Sequence, residues 1–240
     1  AQDYAAGLRR QGHDVQVGGV PAYSTLGWFS DPLLSTFIHF SDAELARMVF
    51  HELAHQVVYI AGDTQFNEGF ATAVEEAGVQ RWLELYGSDA MREAYARYHA
   101  RRQDFLALLV QHRQMLADAY ARKTSDRRKR DDKARIFAHL KADYLKLKEG
   151  WGGYAGYDRW FAEPLNNAHL SAVGAYHDYL PAFRNLMQQE STFVRFYAAV
   201  QKMAALDLAQ RQQQLHQLGR PAIVSVERLP DAAAGQEVAH

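Results

Sequence analysis

The chain has 240 residues, 48% of them hydrophobic, which suffices for a substantial core in one large domain or one and a half. It has no cysteine, so disulfides and thiolate chemistry are excluded, and it lacks the ~18 consecutive apolar residues of a transmembrane helix. A net charge of −1 argues against a dedicated nucleic-acid binder.

Ala1 to Gln11 reads as the tail of a helix that Gly12 ends. Because the chain opens mid-element without Met, it is expected to be a fragment or a processed form. Asp14-Val15-Gln16-Val17 alternates like a strand. Gly18-Gly19 and Pro21 interrupt it, and Tyr23 to Phe29 reads as a second extended piece or hairpin. An extended segment can bind a peptide as one more strand. Gly19, Val20 and Tyr23 are therefore candidates for lining a substrate; the alternative is a buried β-hairpin with Gly for turn geometry.

The chemistry concentrates between Ser41 and Gly87. Ser41 with Glu44 forms a capping box, and Leu45, Met48, Val49, Leu53 and Val57 recur at helical spacing, with Gly62 as a stop signal. Within that helix lies His51-Glu52-Leu53-Ala54-His55, a zinc-binding and water-activating pattern. The two histidines stand one turn, roughly 6 Å, apart on one face, so both imidazoles can reach one ion. Glu52 falls beside that face, placed to take a proton from a water at the ion. A hydrolytic zinc takes three protein ligands and leaves one position open. Gln65 to Glu75 reads as a second helix. If the two helices form an antiparallel hairpin about Ala61/Gly62, Glu68 stands level with His55 and is the expected third ligand. Glu75, two turns further along, and Glu76 are expected to be structural, for example pairing with Arg47. One Zn2+ per chain follows.

Gly87-Ser88-Asp89 resets the chain. Residues 89–123 form one long helical pattern, Arg127 to Lys133 reads as a charged turn, and Ile136, Leu140, Tyr144 and Leu147 continue on a return helix. Residues 88–149 hold 16 Lys/Arg against 9 Asp/Glu, the remainder 11 against 19. This basic hairpin is either a solvated helical pair or a face that meets an anionic membrane surface or an acidic partner. His99, His112 and His139 on it read as surface or packing histidines. Gly150 to Tyr157 is a Gly- and aromatic-rich loop, from which Tyr157 is a further candidate for the substrate site. Asn166 then opens a helix through Tyr179 that Pro181 ends or kinks. An acyl-transfer site needs an oxyanion donor, worth roughly 2.7–4 kcal/mol of barrier. Tyr176 is the first candidate, ahead of Tyr157 and His177; His169 or His177 would otherwise support a ligand from behind. Phe183 to Leu218 is helical again, and residues 219–240 read as a flexible tail with at most a short strand near Ile223 to Val226.

Two of these stretches carry a resemblance. His51-Glu52-Leu53-Ala54-His55-Gln56 and Phe66-Asn67-Glu68-Gly69-Phe70-Ala71 resemble the paired motifs of the gluzincin metallopeptidases, above all the alanyl-aminopeptidase family, where the Glu of an Asn-Glu-Gly-Phe-Ala segment is the third zinc ligand. The spacer here is shorter, which implies a tighter loop. The acidic motif with which those enzymes grip a substrate amino terminus is not visible; Asp31 is the nearest carboxylate. A wider set is similar to a bacterial family of predicted zinc aminopeptidases: Gly18 to Phe29, the His-Glu motif, Asp63 to Glu68, Asn166-Asn167-Ala168, Tyr176 and Pro181-Ala182-Phe183. That resemblance implies a periplasmic, membrane-associated protein tethered through an upstream segment.

The expected fold is mainly α (α+β): a gluzincin-like zinc metallopeptidase domain with a small N-terminal β element and a long helical hairpin. Its parts are 1–87 (β element and zinc-binding hairpin), 88–149 (basic hairpin), 150–218 (C-terminal helical part) and 219–240 (tail). The expected function is a zinc-dependent peptidase, an aminopeptidase, with Glu52 as general base and Tyr176 as oxyanion donor. The alternatives are a zinc endopeptidase and a non-catalytic, zinc-scaffolded binding or assembly protein.

Overall fold

The computed structural model describes residues 1–19, 25, 29, 31 and 34–219, without the side chains of Ala172, Ala175, Tyr176 and His177. The described chain is mainly helical and holds no strand: α1 Gln2–Arg10, α2 Asp42–Val57, α3 Thr64–Tyr86, α4 Asp89–Ala121, α5 Asp126–Gly150, α6 Asp158–Ala162, α7 Asn167–His177, α8 Leu180–Glu190, α9 Phe193–Ala204 and α10 Leu208–Leu218. No helix among these residues is long and apolar enough to cross a membrane.

α3 is the central element. It packs against α2 on one side and against α7 and α8 on others, which its composition permits: Phe66, Phe70, Ala71, Val74 and Val79 are all buried. Each fully buried Phe is worth about 1.5–3 kcal/mol. Two glycines let the neighbours approach. A Cβ on Gly78 would meet the Phe50 ring of α2 at 2.9 Å, and one on Gly69 would meet Phe183 of α8 at 3.3 Å. One core joins the loop end of α2 and α3 to α8, α9 and α10 through Phe66, Phe70, Phe183 and Phe196. A second joins α4, α5, α6 and α7 around Phe105, Leu140, Tyr144 and Phe161. A third, around Val79 and Leu83, joins the far end of the α2–α3 pair to the start of α4.

Several expectations change here. Asp14 to Val17 forms no strand. It runs irregularly, its polar groups bound to helices instead of to a second strand: Asn166 Nδ2 donates to Val15 O at 3.2 Å, and Asp14 receives the Asn167 N–H at 3.2 Å and the Lys133 ammonium. The rest of the expected β element, including Val20 and Tyr23, lies outside the described residues. α2 ends at Val57, five residues before Gly62, because the β-branched run Val57, Val58 and Ile60 favours extended backbone; Gly62 instead supplies the φ of +84° that the turn into α3 requires. Arg127 to Lys133 is not a turn but the opening of α5. Ser125 caps that helix by accepting the Arg128 N–H, and the turn itself is Arg122 to Ser125. Pro181 does not kink a continuous helix; it sits in the first turn of α8, after a break at Asp178 and Tyr179. Phe183 to Leu218 is three helices, divided at Ser191 and at the Asp207 cap. Residues 220–240, with the expected strand and tail, lie outside the described residues.

Candidate metal centre

α2 and α3 run antiparallel and face each other with their polar residues. The connection between them is only Val58 to Asp63, and Asn67 closes it: its side chain accepts the Ile60 N–H and donates to the Ile60 carbonyl, both at 2.8 Å. Asp63 then caps α3 through the Phe66 N–H. Glu68, the next residue after Asn67, is thereby set against the middle of α2.

There it meets both histidines. His51 Nε2 lies 3.2 Å from Glu68 Oε2 and 3.3 Å from His55 Nε2, and His55 Nε2 lies 3.9 Å from Glu68 Oε1. The two rings stand edge to face, 4.9 Å apart. Among the described residues this is the one group of three or more His, Cys, Asp or Glu side chains whose donor atoms gather within 4.8 Å of one another. His99, His112 and His139 are not in it. The donor set fits a divalent cation: two imidazole Nε2 atoms and a carboxylate, nearly buried, turned toward one point. The neighbouring carboxylates already draw a proton to His51. Burial alone would lower the His51 pKa, but hydrogen bonds to Glu68 and Glu75 outweigh it and push it up to about 9. His55 goes the other way, held down by burial and by the charge of His51, and its Nδ1 is buried without a partner.

Behind the ligands stands a support that the sequence reading only half anticipated. Glu75 pairs with Arg47 as expected, with Nη1 3.1 Å from both oxygens. It also lies 2.9 Å from His51 Nδ1, and Arg102 of α4 approaches it to 3.6 Å. Burial would raise the Glu75 pKa; His51, Arg47 and Arg102 overcome this and keep it a carboxylate. A charged Glu75 receives the Nδ1 proton of His51 and leaves Nε2 to face the ligand cluster. The antiparallel pairing with Arg47 was the signal available in the sequence; Arg102, 27 residues further on another helix, had none.

Glu52 is half-buried beside the cluster. Burial raises its pKa first, the charges of Glu68 and Asp31 raise it further, and His51 pulls it down. Asp31, which accepts the Thr25 N–H at 2.9 Å, thus lies within electrostatic reach of the expected base. Tyr157 stacks on Phe105 at 3.9 Å, in the aromatic cluster of α4 and α6, and burial pushes its hydroxyl up to about 12. His169 caps α7 together with Asn166 and packs on Trp160. Gly19 is exposed in the irregular N-terminal segment. The side chains of Tyr176 and His177 belong to those not described.

A family model described as "Putative aminopeptidase" matches residues 1–215. No curated protein and no solved structure matches the chain.

Proposed function

From the premise that the chain belongs to the family of that description, we propose that it is a zinc-dependent aminopeptidase with its centre at His51, His55 and Glu68. The observation that carries the reading is the convergence of those three side chains with Glu52 alongside. Held by them, a zinc ion would supply Lewis acidity that polarises a scissile carbonyl and makes water a stronger acid. Glu52 accepts the proton of the attacking water and returns it to the leaving amine. Its raised pKa suits both halves of that exchange, since a base that must also act as acid works best with a pKa drawn toward the working pH. Glu75 fixes the His51 ring. Tyr176 remains the proposed oxyanion donor, on the sequence reading alone. The family description is what favours an aminopeptidase over an endopeptidase.

The test is elemental analysis of the wild type and of Glu52→Gln, with hydrolysis of aminoacyl amides and their N-acetylated counterparts on the same samples. The expected result is one zinc per chain in both proteins, turnover in the wild type alone, and no cleavage of the acetylated amides. Loss of the general base should lower kcat by about 10²–10⁴-fold. A Glu52→Gln protein with near-normal turnover overturns the mechanism. Zinc in both without turnover in either favours a zinc-scaffolded binding protein, and cleavage of blocked substrates favours an endopeptidase.

A further inference from the structure

The tip of the α4–α5 hairpin has no part in the proposed reaction, yet its charge is arranged in a way that folding does not explain. Among the described residues, Arg122, Lys123, Arg127, Lys129 and Arg130 make no ion pair. By contrast, Arg92, Arg97, Arg102 and Arg113 of α4 each lie 3.6 Å or closer to a carboxylate. Arg127 to Arg130 occupy the first turns of α5, the positive end of the helix dipole, where cations are disfavoured. With 3.6 residues per turn, Arg127, Lys129 and Arg130 point to three sides of the helix, while Arg128, on the fourth, turns to Asp132.

Just below the tip, Arg122, Arg128, Arg135 and His139 line a cavity of about 280 Å³, with Asp118 and Asp132. Asp132 is buried and bonded to Arg135, with Arg128 at 3.4 Å. It holds those two guanidiniums in place, while Arg122 stays unpaired. The cavity is large enough for a phosphate group.

From this arrangement we infer that the tip is a docking surface for the headgroup layer of an anionic phospholipid bilayer. Two features favour a bilayer over a folded acidic protein. Unpaired charge on three sides of the helix can be met together by headgroups into which the tip sinks, whereas a rigid acidic patch meets one side. From Arg122 to Arg135 there is no apolar side chain larger than Ala134, so the tip engages phosphates and stops short of the hydrocarbon. Binding is therefore electrostatic and salt-sensitive.

The experiment is co-sedimentation of the full chain with vesicles of phosphatidylcholine alone or with about a third phosphatidylglycerol, at about 0.05 M and 0.5 M NaCl. The variant is Arg127→Gln/Lys129→Gln/Arg130→Gln. The control is Lys141→Gln/Arg159→Gln/Lys202→Gln, which removes the same charge from exposed, unpaired positions elsewhere. We expect binding to the anionic vesicles only, its loss at high salt, a fall of about a hundredfold in the tip variant and little change in the control. Failure of the wild type to bind anionic vesicles overturns the inference, as does equal weakening in the control or binding that salt does not reduce. Tip-dependent binding to poly-glutamate or single-stranded nucleic acid without vesicle binding also overturns it, in favour of a macromolecular polyanion.

Discussion

At the scale of single residues, the centre depends on which nitrogen of His51 is free. Glu75, buried and kept charged by two guanidiniums, takes the Nδ1 side and leaves Nε2 toward His55 and Glu68. Glu75→Gln keeps the shape and removes the charge, so its zinc affinity should fall about 10–100-fold; competition with a chelator measures this, and unchanged affinity would show that the contact does not tune the ligand. Glu68→Ala removes a ligand outright and should leave the purified protein without zinc by elemental analysis. Full occupancy in that variant would identify another carboxylate as the third donor. The meeting of His51, His55 and Glu68 was legible because two histidines four residues apart share a helix face and a tight hairpin sets Glu68 level with them. Arg102 was not, because its approach to Glu75 is made by tertiary packing of another helix; Asp31 stood out only as the nearest carboxylate to a motif it does not match.

At the scale of elements, the register of α2 against α3 decides whether the three donors meet. It is set by the side chain of Asn67 on Ile60 and by the positive φ of Gly62. Asn67→Ala leaves a backbone N–H and a carbonyl without their partner. The cost should be about 1–3 kcal/mol of stability in a denaturant titration, with weaker zinc binding. A variant with wild-type stability would place the control of register elsewhere. The capping box at Ser41 and Glu44, the stop at Gly87 and the long helix after Ser88 could all be read from the sequence, because caps and periodicity act locally. The opening of α5 could not, because a run of Arg and Lys resembles a solvated turn while its helix propensity and the Ser125 cap make it a helix. Asp14 to Val17 misled for the opposite reason: its alternation satisfies a helix end as well as it would a neighbouring strand.

At the scale of the whole molecule, the elements around α3 are tied by charge as well as by apolar packing. Arg184 of α8 grips Glu76 with two bonds of 2.7 Å, and His99 of α4 lies 3.8 Å away. Burial would raise the Glu76 pKa, but the hydrogen bonds from His99 and Arg184 hold it at about 2, below its ordinary 4.5. A depressed carboxyl adds stability that is fully present above about pH 4.5 and lost as the pH falls toward about 2. That contribution is on the order of 3 kcal/mol. Thermal denaturation of wild type and Glu76→Gln should therefore differ most near neutrality and converge near the acid limit; a constant offset across that range would mean the charge is not what matters. The neighbouring Glu75 leads further. All three side chains of the candidate centre lie on α2 and α3, but one of the two guanidiniums that balance Glu75 arrives from α4. An excised peptide of residues 41–87 would carry every donor of the centre and still lack that counter-charge. Any transplant of the site onto another scaffold would have to bring along a guanidinium from a third helix, and the long hairpin is in that sense part of the smallest unit that could be moved.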